Sequence, residues 1–145
     1  MAYQKILVAI DDSEISANVI QQAAQLAKAL NSEITVVEVM TLDPYLSEAY
    51  LRMGQSNELI ERVRSYVQEN LTKVEKKFEE LGLTVATQVL EGFSIHDEII
   101  GAAQNLGADL IIMGSHGRTG IKKFILGSVA QKVLGESHIP VLVVR

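Results

Sequence analysis

The chain has 145 residues, a formal net charge of −5, an apolar fraction of 48%, an aromatic fraction of only 5%, and no cysteine. Disulfides, thiolate nucleophiles and cysteine-ligated zinc are excluded. The length suits one domain, read here as residues 1–145, with a core built from aliphatic side chains.

Lys5 to Ile10 is a short aliphatic run closed by Asp11-Asp12-Ser13 and reads as a buried strand. Ile15, Val19, Ala23, Leu26 and Leu30 then recur at helical spacing until Asn31-Ser32. In this reading Asp12 is a residue of the helix start. Glu33 to Val39 is the second strand. Thr41 to Ser56 carries Pro44 and Gly54 among helix formers and reads as a long loop with a helical piece. From Asn57 to Leu81 the spacing of Ile60, Val63, Val67, Leu71, Val74, Phe78 and Leu81 predicts one long helix, capped at its C-terminus by Gly82. Leu83 to Leu90 is the third strand. Ile95, Ile99, Ile100, Ala103 and Leu106 mark a helix ended by Gly107. Asp109 to Met113 is the fourth strand, Ser128 to Leu134 a helix, and Pro140 to Val144 the fifth strand. Repeated strand–helix units imply a parallel sheet with right-handed crossovers.

Ligands of open α/β sheets sit beyond the carboxyl ends of the strands. The fourth strand opens there into Gly114-Ser115-His116-Gly117-Arg118-Thr119-Gly120 and, after Ile121 to Leu126, into Gly127-Ser128. Glycines admit close approach of main-chain N–H groups. A helix starting near Ser128 offers unpaired donors and a positive dipole end, and the pair of features favours phosphate. From Gly114 to Arg145 there are five basic residues and one acidic, a local charge of +4 that leaves −9 on the first 113 residues. An acidic chain with one basic segment argues against general nucleic-acid binding and for a small anion bound locally. Neither a Gly-x-x-x-x-Gly-Lys-Ser/Thr loop nor a Gly-x-Gly-x-x-Gly after the first strand is present. No run approaches about 20 apolar residues, so no membrane insertion is expected. With no secretory pattern at the start, the expectation is a cytoplasmic protein.

The spacing Gly114-x2-Gly117-x9-Gly127-Ser128 resembles the ATP-binding signature of the universal stress protein family. The resemblance extends over the whole chain, through Ile6–Asp11, Gly107–Gly114 and Ile139–Val144. It implies a Rossmann-like, adenine nucleotide alpha hydrolase-like fold with sheet order 3-2-1-4-5, which puts the first and fourth strands side by side. It also implies residue roles. The backbone of Ala9 and Ile10, with Val39 and Met113, would flank adenine, and Asp11 would accept from the ribose hydroxyls. Gly114, Gly117, Gly127, Ser128 and Val129 would hold a triphosphate with Mg²⁺. Apart from the resemblance, the basic residues Arg118, Lys122 and Lys123 of the same loop either touch phosphates or solvate it, and Arg118 is the favoured contact. Gly127→Val is expected to end binding and spare the fold, because the loop lies outside the core. The chain departs from the family at Phe93-Ser94-Ile95-His96, where a short turn with proline is usual.

The function expected is that of an ATP-binding regulatory protein of the stress response, read by a protein partner the sequence does not name. A slow ATPase or a nucleotidyl-transfer relative is the alternative. No catalytic residue is assigned, because no activating lysine or base for water is evident. A receiver-domain reading of Asp11-Asp12 fails, since the third and fifth strands end in Glu91 and Arg145. His116 is expected to line the loop and His96 and His138 to be ordinary positions. The three histidines share no ligand spacing, so no structural metal is indicated. The last strand is aliphatic and followed only by Arg145. At a sheet edge it would invite pairing with a second copy, giving a homodimer.

Overall fold

A computed structural model describes residues 2–41, 56–116 and 126–145, without the side chains of residues 56 and 57. Gly117, Arg118 and nearly all of the Thr41–Ser56 loop therefore lie outside the described residues. The elements follow in the order β1 (Lys5–Ile10), α1 (Ser16–Leu30), β2 (Glu33–Thr41), α2 (Ser56–Glu80), β3 (Ala86–Gly92), α3 (Ile95–Leu106), β4 (Leu110–Gly114), α4 (Ser128–Glu136) and β5 (Val141–Val144).

The five strands form one parallel sheet in the order β3-β2-β1-β4-β5. Ile10 stands opposite Glu38, Ala9 opposite Met113, and Gly114 opposite Val144. The sheet is covered on both faces, as its aliphatic composition requires. On one face Ile6, Val8, Ile10, Val36 and Ile112 pack with Val19, Ala23, Leu71 and Phe78 of α1 and α2. On the other, Leu7, Ala9, Val37, Ile111 and Met113 pack with Ile99, Ala103, Ala130 and Val133 of α3 and α4. Burying one Val, Leu or Ile contributes about 1.5–3 kcal/mol, so these two clusters hold the helices to the sheet.

Three helices end alike. Asn31, Gly82 and Gly107 take left-handed backbone angles with φ of 55°, 85° and 67°. The next N–H in each case, of Ser32, Leu83 and Ala108, donates to a carbonyl five residues back, at Ala27, Phe78 and Ala103, at 2.9 Å. This closes helix carbonyls that would otherwise lack donors. It also moves the start of β3. Leu83 serves the end of α2, and the ladder begins at Ala86 opposite Thr35. The predicted stripe on α2 departs at Val63, which is 37% exposed, while Val67, Leu71, Val74 and Phe78 are buried. The β2 strand continues two residues beyond Val39, because Met40 and Thr41 find partners in Glu91 and Gly92.

Candidate functional site

The β1 and β4 strands are neighbours, and their connections leave toward opposite faces: α1 packs in the first cluster and α4 in the second. A crevice at such a reversal is where open α/β sheets take ligands. Three segments meet there.

The first is Asp11–Ser16. The Asp11 carboxylate oxygen Oδ1 accepts the Ser13 N–H at 2.9 Å and also the Ser13 hydroxyl. This Asx turn fixes the side chain at the strand end. The buried Ser16 hydroxyl donates to the Asp11 carbonyl at 2.8 Å and fixes its backbone. Asp12 is not part of the helix start, since α1 begins at Ser16 with Ile15 as its cap. Its Oδ2 instead accepts the Tyr66 hydroxyl of α2 at 2.7 Å.

The second segment is Gly114–His116. A Cβ on Gly114 would lie 2.9 Å from Ile15 Cγ2, so glycine there lets the end of β4 run beneath the start of α1. Ser115 is buried. Its N–H donates to the Val144 carbonyl at 2.7 Å, its own carbonyl accepts the Gly127 N–H at 2.7 Å, and its Oγ lies 3.0 Å from His116 Nδ1.

The third is Leu126–Ala130. Gly127 caps α4 with φ −62° and ψ 158°, an extended conformation open to any residue. What requires glycine is space. A Cβ there would meet His116 Cα at 3.0 Å and the Ser115 carbonyl oxygen at 3.1 Å. The expectation that Gly127→Val would spare the fold therefore needs correction, because the position is packed against backbone. The first bond inside α4 runs from the Gln131 N–H to the Gly127 carbonyl at 3.0 Å, and among the described residues no side chain caps the helix. The N–H groups of Ser128, Val129 and Ala130 thus have no acceptor within the helix. Ser128 itself is exposed.

Among the predicted site residues, Ala9 and Met113 lie side by side in register, and Val39 and Val129 pack in the same cluster. Ile10 turns its side chain to the opposite face, so only its backbone remains on offer to this crevice. Gly114, Gly127 and Ser128 gather around Ser115. Sequence reasoning singled out neither Ser115 nor the pair Ser13 and Ser16. Their burial and bonding depend on partners far along the chain or on turn geometry, and only their position beside the motif could have flagged them.

Charged contacts tie α2 to the tips of the sheet. Arg64 Nε donates to Glu91 Oε1 at 2.5 Å, and Arg64 also pairs with Glu61. The hydrogen bond from Arg64 holds the Glu91 carboxyl below its ordinary range, and the two glutamates raise the Arg64 pKa. Asn70 Nδ2 donates to the buried Glu38 carboxylate at 2.5 Å. Separately, His96 of α3 is no ordinary helix position. Its Nε2 lies 2.9 Å from Glu136 and 3.3 Å from Asp97. Among the described residues no helix is long and apolar enough to cross a membrane.

Fold and crevice define a doubly wound α/β protein whose switch point faces the uncapped start of a helix. A model of the universal stress protein family matches residues 2–145, and the chain belongs to that family. Universal stress protein MJ0531 of Methanocaldococcus jannaschii is 38% identical over 99% of this chain and 82% of its own length. Universal stress protein MJ0577 of the same organism is 32% identical over 99% and 95%. The solved structure of MJ0577 superposes with a TM-score of 0.84, covering 99% of this chain and 96% of that one at 30% identity. The universal stress protein of Archaeoglobus fulgidus solved in complex with dAMP shares the fold, with a TM-score of 0.71 and 23% identity over the whole of both chains.

Proposed function

We propose that this protein binds ATP at the β1–β4 switch point and acts as a nucleotide-dependent regulator rather than as an enzyme of rapid turnover. The observation that carries the reading is the uncapped start of α4, drawn against Ser115 by the 2.7 Å bond from Gly127 and set at the reversal of strand order. The donor set fits an anion: three consecutive main-chain N–H groups, the Ser128 hydroxyl and the positive end of a helix dipole. Gly114, Gly117, Gly127, Ser128 and Val129 would hold the phosphates, with Arg118 beside them. Ala9 and the backbone of Ile10, with Val39 and Met113, would flank the adenine. Asp11 would accept from the ribose through Oδ2, since Oδ1 is engaged by Ser13. Mg²⁺, when bound, would supply charge neutralisation on the phosphates. The same chain is proposed to pair through β5, an edge strand whose Leu142 is 38% exposed. A protein partner would read the nucleotide state.

Calorimetry on nucleotide-free protein with Mg²⁺ tests the central claim. ATP is expected to bind more tightly than AMP, because each charge-assisted contact to a phosphate is worth about 1.5–3 kcal/mol. AMP binding as well as ATP, or neither nucleotide binding, would reject the phosphate-cradle reading.

A further inference from the structure

The contact between α3 and α4 holds a mixed nitrogen and oxygen donor set that the nucleotide reading does not use. The His96 imidazole, the Asp97 carboxylate and the Glu136 carboxylate bring one ligand atom each within 4.8 Å of one another. His96 is largely buried, with 17% side-chain exposure, and its Nδ1 lies 3.1 Å from Ser94 Oγ. That contact orients the ring so that Nε2 faces both carboxylates. A ligand histidine is held in this way when its second nitrogen is engaged by a neighbour. Asp97 belongs to the first turn of α3, where a carboxylate is favoured by the helix dipole. Glu136 is the last residue of α4, where a carboxylate is disfavoured and no basic residue of the last turn offsets it. A cation at this point answers both carboxylates at once.

We propose that His96, Asp97 and Glu136 form a binding site for a divalent first-row transition cation, with water completing the coordination. Imidazole with carboxylate oxygens suits zinc and its neighbours better than magnesium or calcium, which prefer all-oxygen shells. Binding requires neutral His96, with the proton on Nδ1 donated to Ser94 Oγ and the Nε2 lone pair directed at the metal. Without metal, the Nε2 proton serves Glu136 and Asp97. Metal and proton therefore compete for one nitrogen. The occupied site would fasten the start of α3 to the end of α4. It stands at the opposite end of α4 from Ser128 and does not depend on the nucleotide reading.

The probe is ZnCl₂ titrated into metal-free, nucleotide-free protein by calorimetry, with the thermal midpoint measured in parallel. One zinc per chain and a raised midpoint are expected. Glu136→Gln changes a side chain that is 57% exposed and removes one ligand with little risk to the fold. It should lose both the binding and the midpoint rise, as should His96→Gln. Ser94→Ala should weaken binding by about tenfold. Asp11→Ala is the control for zinc held at the strand tips and should leave the stoichiometric binding in place. Absence of zinc binding by the unaltered protein, or stoichiometric binding that survives in both Glu136→Gln and His96→Gln, would overturn the assignment.

Discussion

Gly127→Val and Ser128→Ala together separate packing from ligand binding. The Cβ that Gly127→Val introduces would approach His116 Cα at 3.0 Å, the Ser115 carbonyl oxygen at 3.1 Å and His116 Cβ at 3.3 Å. The first two are backbone atoms that cannot rotate away. Backbone strain contributes nothing, since φ is −62°. The cost is overpacking of about 1–3 kcal/mol. The displacement would also stretch the bond from Gly127 N–H to Ser115, and losing it costs about 1 kcal/mol more. Urea unfolding without nucleotide should therefore show a loss of about 2–4 kcal/mol, the sum of these two effects. Calorimetry on the folded fraction should show ATP binding lost as well, because the start of α4 shifts. Ser128→Ala is the counterpart. That side chain is exposed and makes no cap bond, so unfolding should be unchanged while ATP weakens by about 1.5–3 kcal/mol. A Gly127→Val protein with the unfolding midpoint and ATP affinity of the unaltered chain would refute both the packing and the site.

Asp11→Asn keeps an oxygen for the Ser13 N–H and removes the charge, so it should weaken ATP by about 1–3 kcal/mol without unfolding the turn; an unaltered dissociation constant by calorimetry takes Asp11 out of the site. Arg64 holds the Glu91 carboxyl below its ordinary carboxylate range, so its contribution is present above the unfolded-state pKa and is lost as pH falls through the depressed folded-state pKa. Unfolding free energy measured from pH 6 downward should fall less steeply in Glu91→Gln, by a small amount because the pair is exposed to solvent; identical slopes would contradict it. Leu142→Glu should dissociate the proposed β5 dimer and leave ATP affinity intact. Light scattering that gives the monomer mass for the unaltered protein at micromolar concentration rejects the dimer.

The order of elements was legible because each strand is a compact aliphatic run and each helix carries a stripe at helical spacing. The ends of α2 and α3 were legible from Gly82 and Gly107, where left-handed angles favour glycine. The start of β3 was not, because Leu83 reads as a strand residue while its N–H is committed to Phe78. Gly114 and Gly127 were legible as a motif, but the physical reason differs from the one their type suggests. Neither takes a positive φ, and both are needed for close approach, to Ile15 and to the Ser115–His116 backbone. That approach depends on segments far apart in sequence. The cluster at His96 was hidden for the same reason: Glu136 stands 40 positions away, and histidine spacing alone carries no sign of a carboxylate on another helix.

The left-handed endings at Asn31, Gly82 and Gly107 divide the molecule into a conserving end and a permissive one. At the amino ends of the strands, the returns from helix to sheet are short, and those into β2, β3 and β4 are each committed to a carbonyl five residues back. The Asp109 carboxylate adds to this by accepting the Gln4 and Lys5 N–H groups at 2.9 and 3.0 Å. A residue inserted there would break a cap and shift a strand by one place, sending every side chain to the wrong face. At the carboxyl ends, the segments after β2 and β4 are long. Each doubling of the length of a connection adds only about 0.6 kcal/mol in closure entropy. Sequence can therefore drift around the crevice, in length as well as in composition, while the register of Ala9 against Met113 stays where the other end of the sheet has set it.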